Sequence, residues 1–240
     1  PEREHAETLE QGDPNLLPEL TGALELGLEK SWQKGNLNFT IYRQDIKNPI
    51  QRVNKVFNDT ILNRVFTNAS KALQIGMEVN VTNSITPNWQ SVISGNVYRY
   101  KIEGTLFDGA VNVSNASTIY SLNSTQSFKI QKGLALQLSI NYLSNRITAQ
   151  GEDGAFFTPH LSLKKTSIDQ RWSFQMQWLN IDMGSKTANR QRITTRGSNF
   201  YTTTNYIYET DQIQFSLSFN MSKRNRKIIL PVSDMAEKEF

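Results

Sequence analysis

Ile213-Gln-Phe215-Ser-Leu217-Ser-Phe219-Asn-Met221 is the stretch whose reading decides the fold of this chain. Every odd position is large and apolar, and every even position is polar and uncharged. Side chains of a β-strand alternate between faces, so the segment has one greasy wall and one wet wall. A soluble sheet carries such alternation too. The stretch fixes a strand and its facing, and its recurrence elsewhere fixes the kind of sheet.

The pattern recurs along most of the chain. Trp172, Phe174, Met176 and Trp178 alternate with polar residues, and Leu134, Leu136, Leu138, Ile140 and Tyr142 oppose Gln137, Ser139 and Asn141. The longest alternation puts Val65, Thr67, Ala69, Leu73, Ile75, Met77, Val79 and Val81 on one face. Arg64, Asn68, Ser70, Gln74, Glu78 and Asn80 lie on the other, and only Lys71 interrupts the apolar side. A helix could not place those residues on one face. Residues 18–32 set Leu20, Gly22, Leu24, Leu26 and Leu28 against Glu19, Thr21, Glu25 and Glu29. With further strands over 37–45, 89–103, 117–130, 155–166 and 198–221, the chain predicts nine strands. An all-β, antiparallel transmembrane β-barrel reads this way, with lipid outside and water inside.

The connections support that reading. Turns at 33–36, 83–88, 131–133 and 167–170 alternate with mostly longer loops at 46–60, 104–115, 149–154 and 184–197. In Gln33-Lys34-Gly35-Asn36, Gly and Asn are expected to supply the positive φ of a tight hairpin. Barrels of the outer membrane have short periplasmic turns and long extracellular loops, so the chain is expected to enter from outside and end in the periplasm. The domain plan is then an extracellular loop segment over 1–17, barrel strands over 18–221 and a periplasmic polar tail over 222–240. Trp32, Trp89 and Trp172 all lie beside short turns, as an interfacial aromatic girdle requires. Core tryptophans at the hairpin ends of a soluble sheet would give the same placement. In the barrel reading, Ile213, Phe215, Leu217 and Phe219 face lipid.

Composition bounds the rest. The chain has 240 residues, a mean hydropathy of −0.50 and a net charge of +4. Without an apolar run of eighteen residues it has no transmembrane helix, whereas a barrel needs only half of each strand apolar. No signal peptide is visible, and the opening Pro1-Glu-Arg-Glu-His reads as the middle of a longer protein. Cysteine is absent, so thiol chemistry and zinc clusters are not available. The basic run Lys223-Arg224-Asn-Arg226-Lys227 reads as a solvated tail rather than a nucleic-acid or headgroup site. No catalytic set is present, so no enzyme is expected: His5 and His160 are the two histidines, and His160 beside Pro159 reads as structural. Glu152-Asp153-Gly154 lacks the ligand ladder of a calcium loop and reads as a polar loop tip. Eight Asn-x-Ser/Thr triplets, among them those at Asn68, Asn112 and Asn123, follow from the Asn/Ser/Thr richness of a wet wall. No metal or cofactor is expected.

Three segments carry a resemblance. Asp13-Pro-Asn15-Leu-Leu-Pro18-Glu19, followed by Leu24-Glu25-Leu-Gly27 and a Lys-Gly hairpin, resembles a recurring stretch of TonB-dependent receptors, with Asp13 in place of the usual Asn and Leu24 in place of an aromatic. Phe39-Thr-Ile-Tyr42-Arg-Gln-Asp45-Ile-Lys-Asn-Pro-Ile50 is similar to the family's next strand and loop, and Asn68-Ala-Ser70-Lys71-Ala72 with Gly76-Met-Glu78-Val79 to the strand after it. The ending, with Phe240 last, resembles the Bacteroidetes-type outer-membrane-protein barrel family. The resemblance implies about 22 strands around an N-terminal plug domain, of which this chain supplies the C-terminal nine or so. It further implies import of a scarce ligand across the outer membrane, driven through TonB. Outer-membrane lipid, the plug and TonB are the implied partners, a surface lipoprotein is an optional one, and nucleic acid is not among them. Ligand contacts are expected within 43–58, 107–115 and 186–201, and plug contacts at Glu25, Arg64, Glu78 and Gln137. Two alternatives stay open: a barrel of the same family with a scaffolding or assembly role, and a soluble secreted β-sandwich or adhesin module.

Overall fold

The computed structural model describes residues 2–5, 8–58, 61–106, 111–197 and 199–221. In chain order the strands are β1 (Glu2–His5), β2 (Thr8–Gln11), β3 (Leu20–Trp32), β4 (Gly35–Lys47), β5 (Ile50–Asn58), β6 (Ile61–Asn68), β7 (Lys71–Thr86), β8 (Trp89–Leu106) and β9 (Val111–Gln131). They continue with β10 (Leu134–Leu143), β11 (Arg146–Ile147), β12 (Gly151–Asp153), β13 (Phe156–Thr166), β14 (Trp172–Leu179), β15 (Arg190–Arg196), β16 (Tyr201–Ile207) and β17 (Gln212–Phe219).

Nine of these form one antiparallel meander, β3-β4-β7-β8-β9-β10-β13-β14-β17, in which each strand pairs with the next one in chain order. The pairing register makes both faces continuous. One row runs Trp89, Phe128, Leu136, Leu163, Met176, Phe215 across six strands. The row beside it on the opposite face runs Gln90, Ser127, Gln137, Ser162, Gln177, Gln214. A one-residue slip at any pairing would exchange the two walls, so the alternation itself specifies the register. The apolar wall is open: Leu24, Leu26, Phe215 and Leu217 all rank among the exposed large hydrophobics.

Four short connections lie at one end of this sheet, between β3 and β4, β7 and β8, β9 and β10, and β13 and β14. At the first of them the expected positive φ is not found. Among the described residues the left-handed glycines are Gly104, Gly133 and Gly184. Gly35 is instead required by close approach, since a Cβ there would sit 2.1 Å from the Thr82 carbonyl oxygen on β7.

At the other end the chain builds two smaller sheets, β1-β2-β6-β5 and β11-β12-β15-β16. Within them the β2–β6 pair is parallel. Several sequence-based expectations change here. Residues 1–17 are not all loop, because β1 and β2 lie within them. The segment 46–60 holds β5. The long alternation from Arg64 to Val81 is two strands, since β6 ends at Asn68 and the chain re-enters the large sheet at Lys71. The last strand likewise divides into β16, in a small sheet, and β17, in the large one. The loop expected over 104–115 shrinks because β8 and β9 run on to Leu106 and from Val111; residues 107–110 lie outside the described ones.

The buried core sits at this junction. Val53, Ala69, Ala72, Ile102, Leu106 and Val113 cluster there, with Ile46, Tyr100 and Ala149 packed against them. The wet wall turns apolar at Ile46, Ala72 and Ile102, where the β5–β6 hairpin folds over it.

Candidate functional site

The junction encloses a cavity of about 1210 Å³. The wet wall contributes Gln74, Tyr98 and Tyr100, the β5–β6 hairpin contributes Arg52, Asn54 and Arg64, and the second small sheet with its approach contributes Arg146, Gln150, Asp153 and Thr203.

Local chemistry explains why the hairpin folds inward. The chain leaves β4 at Asn48, in the left-handed region at φ 53°, followed by the buried Pro49. The Asn68 side chain then joins three segments. Its Oδ1 accepts from the Leu17 N–H at 2.7 Å, and its Nδ2 donates to the carbonyls of Leu17 at 3.0 Å and Asn48 at 2.8 Å. Glu19 Oε2 accepts from the Ile50 N–H at 2.8 Å. The Pro-Asn-Leu-Leu-Pro-Glu, Asn-Pro-Ile and Asn-Ala-Ser-Lys-Ala stretches thus meet in one clamp. Gly104, at φ 143°, closes it: a Cβ there would fall 2.3 Å from the Ser70 nitrogen.

A second fastening joins the two small sheets. The Gln150 side chain accepts from the Asn54 N–H at 2.7 Å and donates to the Asn54 carbonyl at 2.9 Å, imitating a strand pair. Charges around the cavity are partly matched. Arg146 Nε lies 2.6 Å from Asp153, whose side chain is only 9% exposed, and Arg52 Nη2 reaches both Glu10 oxygens at 3.2 Å. On the wet wall, Gln74 donates to the Tyr42 hydroxyl at 3.2 Å, which donates to Asn96 at 3.0 Å. Gly76 leaves room for the Tyr42 and Tyr98 side chains, which a Cβ would meet at under 3 Å. Guanidinium groups, amides, hydroxyls and aromatic rings converge here, a set suited to a polar ligand rich in hydrogen-bond acceptors. Among the described residues no group of three His, Asp or Glu is placed to hold a metal ion.

The residues singled out from sequence fall as follows. Trp32, Trp89 and Trp172 all lie on the apolar wall beside short turns. Trp32 donates to Asn83 at 3.2 Å and Trp89 to Gln126 at 2.9 Å, while Trp172 packs 4.5 Å from Phe219 between ring centroids. Ile213, Phe215, Leu217 and Phe219 share that wall and are exposed, Leu217 by 68%. Glu25, Glu78 and Gln137 lie on the wet wall. Arg64 does not: it belongs to β6 and lines the cavity. The windows 43–58 and 186–201 each reach the cavity, whereas no described residue of 107–115 lines it. Tyr98, Tyr100 and Arg146 also line it, and the weak alternation of 89–103 concealed the two tyrosines. Asp153 and Glu152 sit in β12 rather than at a loop tip, paired to Arg146 and Asn145. His160 accepts at Nδ1 from the Asn180 N–H at 3.1 Å. The tail 222–240, with Lys223 to Lys227 and Phe240, lies outside the described residues, as do Pro1 and the side chain of His5.

A continuous apolar face opposite a continuous polar one, with short turns at one end and built-out loops at the other, is the design that comparison with known proteins meets. Residues 1–219 match the outer membrane protein beta-barrel family. The chain belongs to that family. It is an all-β outer-membrane barrel protein, and the nine-stranded sheet is an arc of such a wall. No curated protein matches the sequence. Among solved structures, the ferric-catecholate import receptor Fiu from K12 E. coli is 16% identical with a TM-score of 0.46, over 69% of this chain and 24% of that one. A mutant of the ferric enterobactin receptor PfeA from Pseudomonas aeruginosa is 16% identical with a TM-score of 0.49, over 84% and 31%. Another PfeA mutant, in complex with enterobactin, is 18% identical with a TM-score of 0.45, over 72% and 27%. This outer-membrane barrel chain spans between about a quarter and a third of those structures' lengths.

Proposed function

We propose that this chain is the C-terminal wall of a TonB-dependent, receptor-type transporter that imports a scarce ligand across the outer membrane. The observation that carries the reading is the cavity at the loop end, where a wet wall and two small sheets converge on Tyr98, Tyr100, Arg52, Arg64 and Arg146. A passive wall has no need of a hairpin clamped inward by Asn68 and Gln150. In this reading the cavity captures the ligand at the cell surface. Glu25, Glu78 and Gln137 then face a plug domain, whose movement through TonB releases the ligand inward, and a surface lipoprotein is an optional further partner.

The same reading orients the molecule. The short turns and the segment after β17 lie on the periplasmic side and the small sheets outside. Trp32, Trp89 and Trp172 form the periplasmic aromatic girdle, and Ile213, Phe215, Leu217 and Phe219 contact lipid. About 22 strands complete the barrel.

The test uses cells that express the full-length protein. Growth is compared with and without its gene on limiting iron chelates, glycans, peptides or vitamins, each in cells with and without functional TonB. One source class should require both. A cavity variant such as Tyr100→Ala should then lose uptake while the protein stays in the outer membrane. If no source requires the protein while other outer-membrane proteins fail to assemble, the scaffolding role replaces import.

A further inference from the structure

The apolar wall ends abruptly at a block of charge. On β4 it carries Leu37, Phe39 and Ile41, then Arg43, Asp45 and Lys47; on β8, Val97 is followed by Arg99, Lys101 and Glu103; β7 enters the sheet at Lys71. The register brings these together in three rows: Arg43, Ile75, Arg99; Asp45, Leu73, Lys101; Lys47, Lys71, Glu103. Seven of nine neighbouring positions on the outward face are charged, five positive and two negative.

The two carboxylates do not absorb the five cations. Asp45 pairs with Arg43 at 2.8 Å, and Glu103 with Lys71 at 3.1 Å and Lys101 at 2.5 Å. Lys47 and Arg99 have no carboxylate partner among the described residues. The block is open on its outer side, with Lys71 70% and Arg43 54% exposed.

Its height matters as much as its charge. Arg43 and Lys47 lie eight and twelve residues beyond Gly35, at the turn end of β4. At ~3.4 Å per residue and a tilt of ~40°, they stand roughly 20 and 30 Å above that end, bracketing the upper edge of an apolar band ~25 Å tall. Long cationic side chains at such an edge keep their stems on apolar surface and their heads at headgroup level. Towards the turn end the same face carries Lys30 and Lys165, but on strands that are not neighbours.

We infer that Arg43, Lys47, Lys71, Arg99 and Lys101 form a docking site for the phosphate groups of an outer-leaflet lipid headgroup. Guanidinium groups offer two parallel donors to a phosphate and ammonium groups add point charge. Acyl chains of the same lipid would lie along Ile41, Met77 and Val97 directly beneath, which commits the site to a lipid rather than a free anion.

Full-length protein from native outer membranes, held in mild detergent, is titrated with lipid A and with dephosphorylated lipid A and followed by native mass spectrometry. Wild-type protein should bind the phosphorylated lipid about tenfold more tightly, as the loss of a charge-assisted bond implies. The triple variant Lys47→Gln/Lys71→Gln/Arg99→Gln should lose that preference, and Lys30→Gln/Lys165→Gln should keep it. Heat-modifiable gel mobility reports whether each variant is folded. Should the triple variant not assemble, the two lipids compared on wild-type protein decide alone. Equal binding of both lipids, a folded triple variant that keeps the preference, or displacement of lipid A by an equal concentration of inorganic phosphate would each overturn the assignment.

Discussion

At the residue scale, single side chains decide facing and clamping. Leu217 is on the open apolar wall and Ser216 on the wet one. Leu217→Arg should cost about 2–4 kcal/mol if it lies near the bilayer midplane, and lower the assembled fraction, while Ser216→Arg should be tolerated. Heat-modifiable mobility of the two variants in membranes checks this, and the opposite order would invert the facing. Asn68→Ala removes three hydrogen bonds to backbone and should destabilise the hairpin by about 1–3 kcal/mol, seen as faster proteolysis within 48–70 with the large sheet still intact. In the turn after β13, Asp169 accepts from the Ser167 hydroxyl and the Arg171 N–H, and these bonds hold its carboxyl below the usual range. A depressed folded pKa stabilises above the unfolded value and is lost as pH falls through the folded one. Protection of residues 167–171 from acid protease should therefore be present at neutral pH and fall below about pH 4, and Asp169→Asn should flatten the dependence. This residue scale was only half legible. Alternation showed the facing of side chains within the strands of the large sheet, because a period of two needs no partner, but it misplaced Arg64, which belongs to β6 in a small sheet. The clamp made by Asn68 was hidden, because its partners lie 51 and 20 residues away in sequence.

At the element scale, the β5–β6 hairpin is the part that the sequence disguised. Arg64 to Val81 alternates as one strand, yet the chain bends at Ala69 and Ser70 and changes sheets. Lys71, the one flaw in the alternation, is the first residue after the bend. Periodicity reports facing within a strand and is blind to which sheet the strand joins. Tyr201 to Phe219 has the same ambiguity, and the break at residues 208–211 carries Asp211 at φ 54° and its bonds to Trp178 and Asp182. Gln150 supplies the link between the small sheets. Gln150→Ala should raise amide exchange at Asn54 and its neighbours several-fold, with β3, β4 and β7 unaffected, because about 1–3 kcal/mol of local stability is lost. Gln150→Glu keeps the acceptor and loses the donor, and should fall between.

At the scale of the whole molecule, the nine strands of the large sheet, their order and the short turns at one end were legible from alternation and turn placement, whereas the eight short strands of the two small sheets were not. Nor was the cavity, since it arises where three sheets meet and no local pattern encodes that meeting. The outer membrane sets the logic of the large sheet. Among the described residues its buried core is small and sits at the loop end, as the proposed arrangement, with lipid rather than a second layer over the apolar wall, requires. Towards the turn end of that wall, polar groups pair with one another, as Gln126 does by accepting from Trp89 and donating to Ser91 and Ser124. The chain has no cysteine, so single cysteines can be placed in turn at positions 213 to 219 of the full-length protein in native outer membranes and spin-labelled. Accessibility to oxygen should peak at 213, 215, 217 and 219, and accessibility to a water-soluble nickel chelate at 214, 216 and 218. Reversed peaks, or no period of two, would contradict a wall with lipid on its apolar face and water on its polar one.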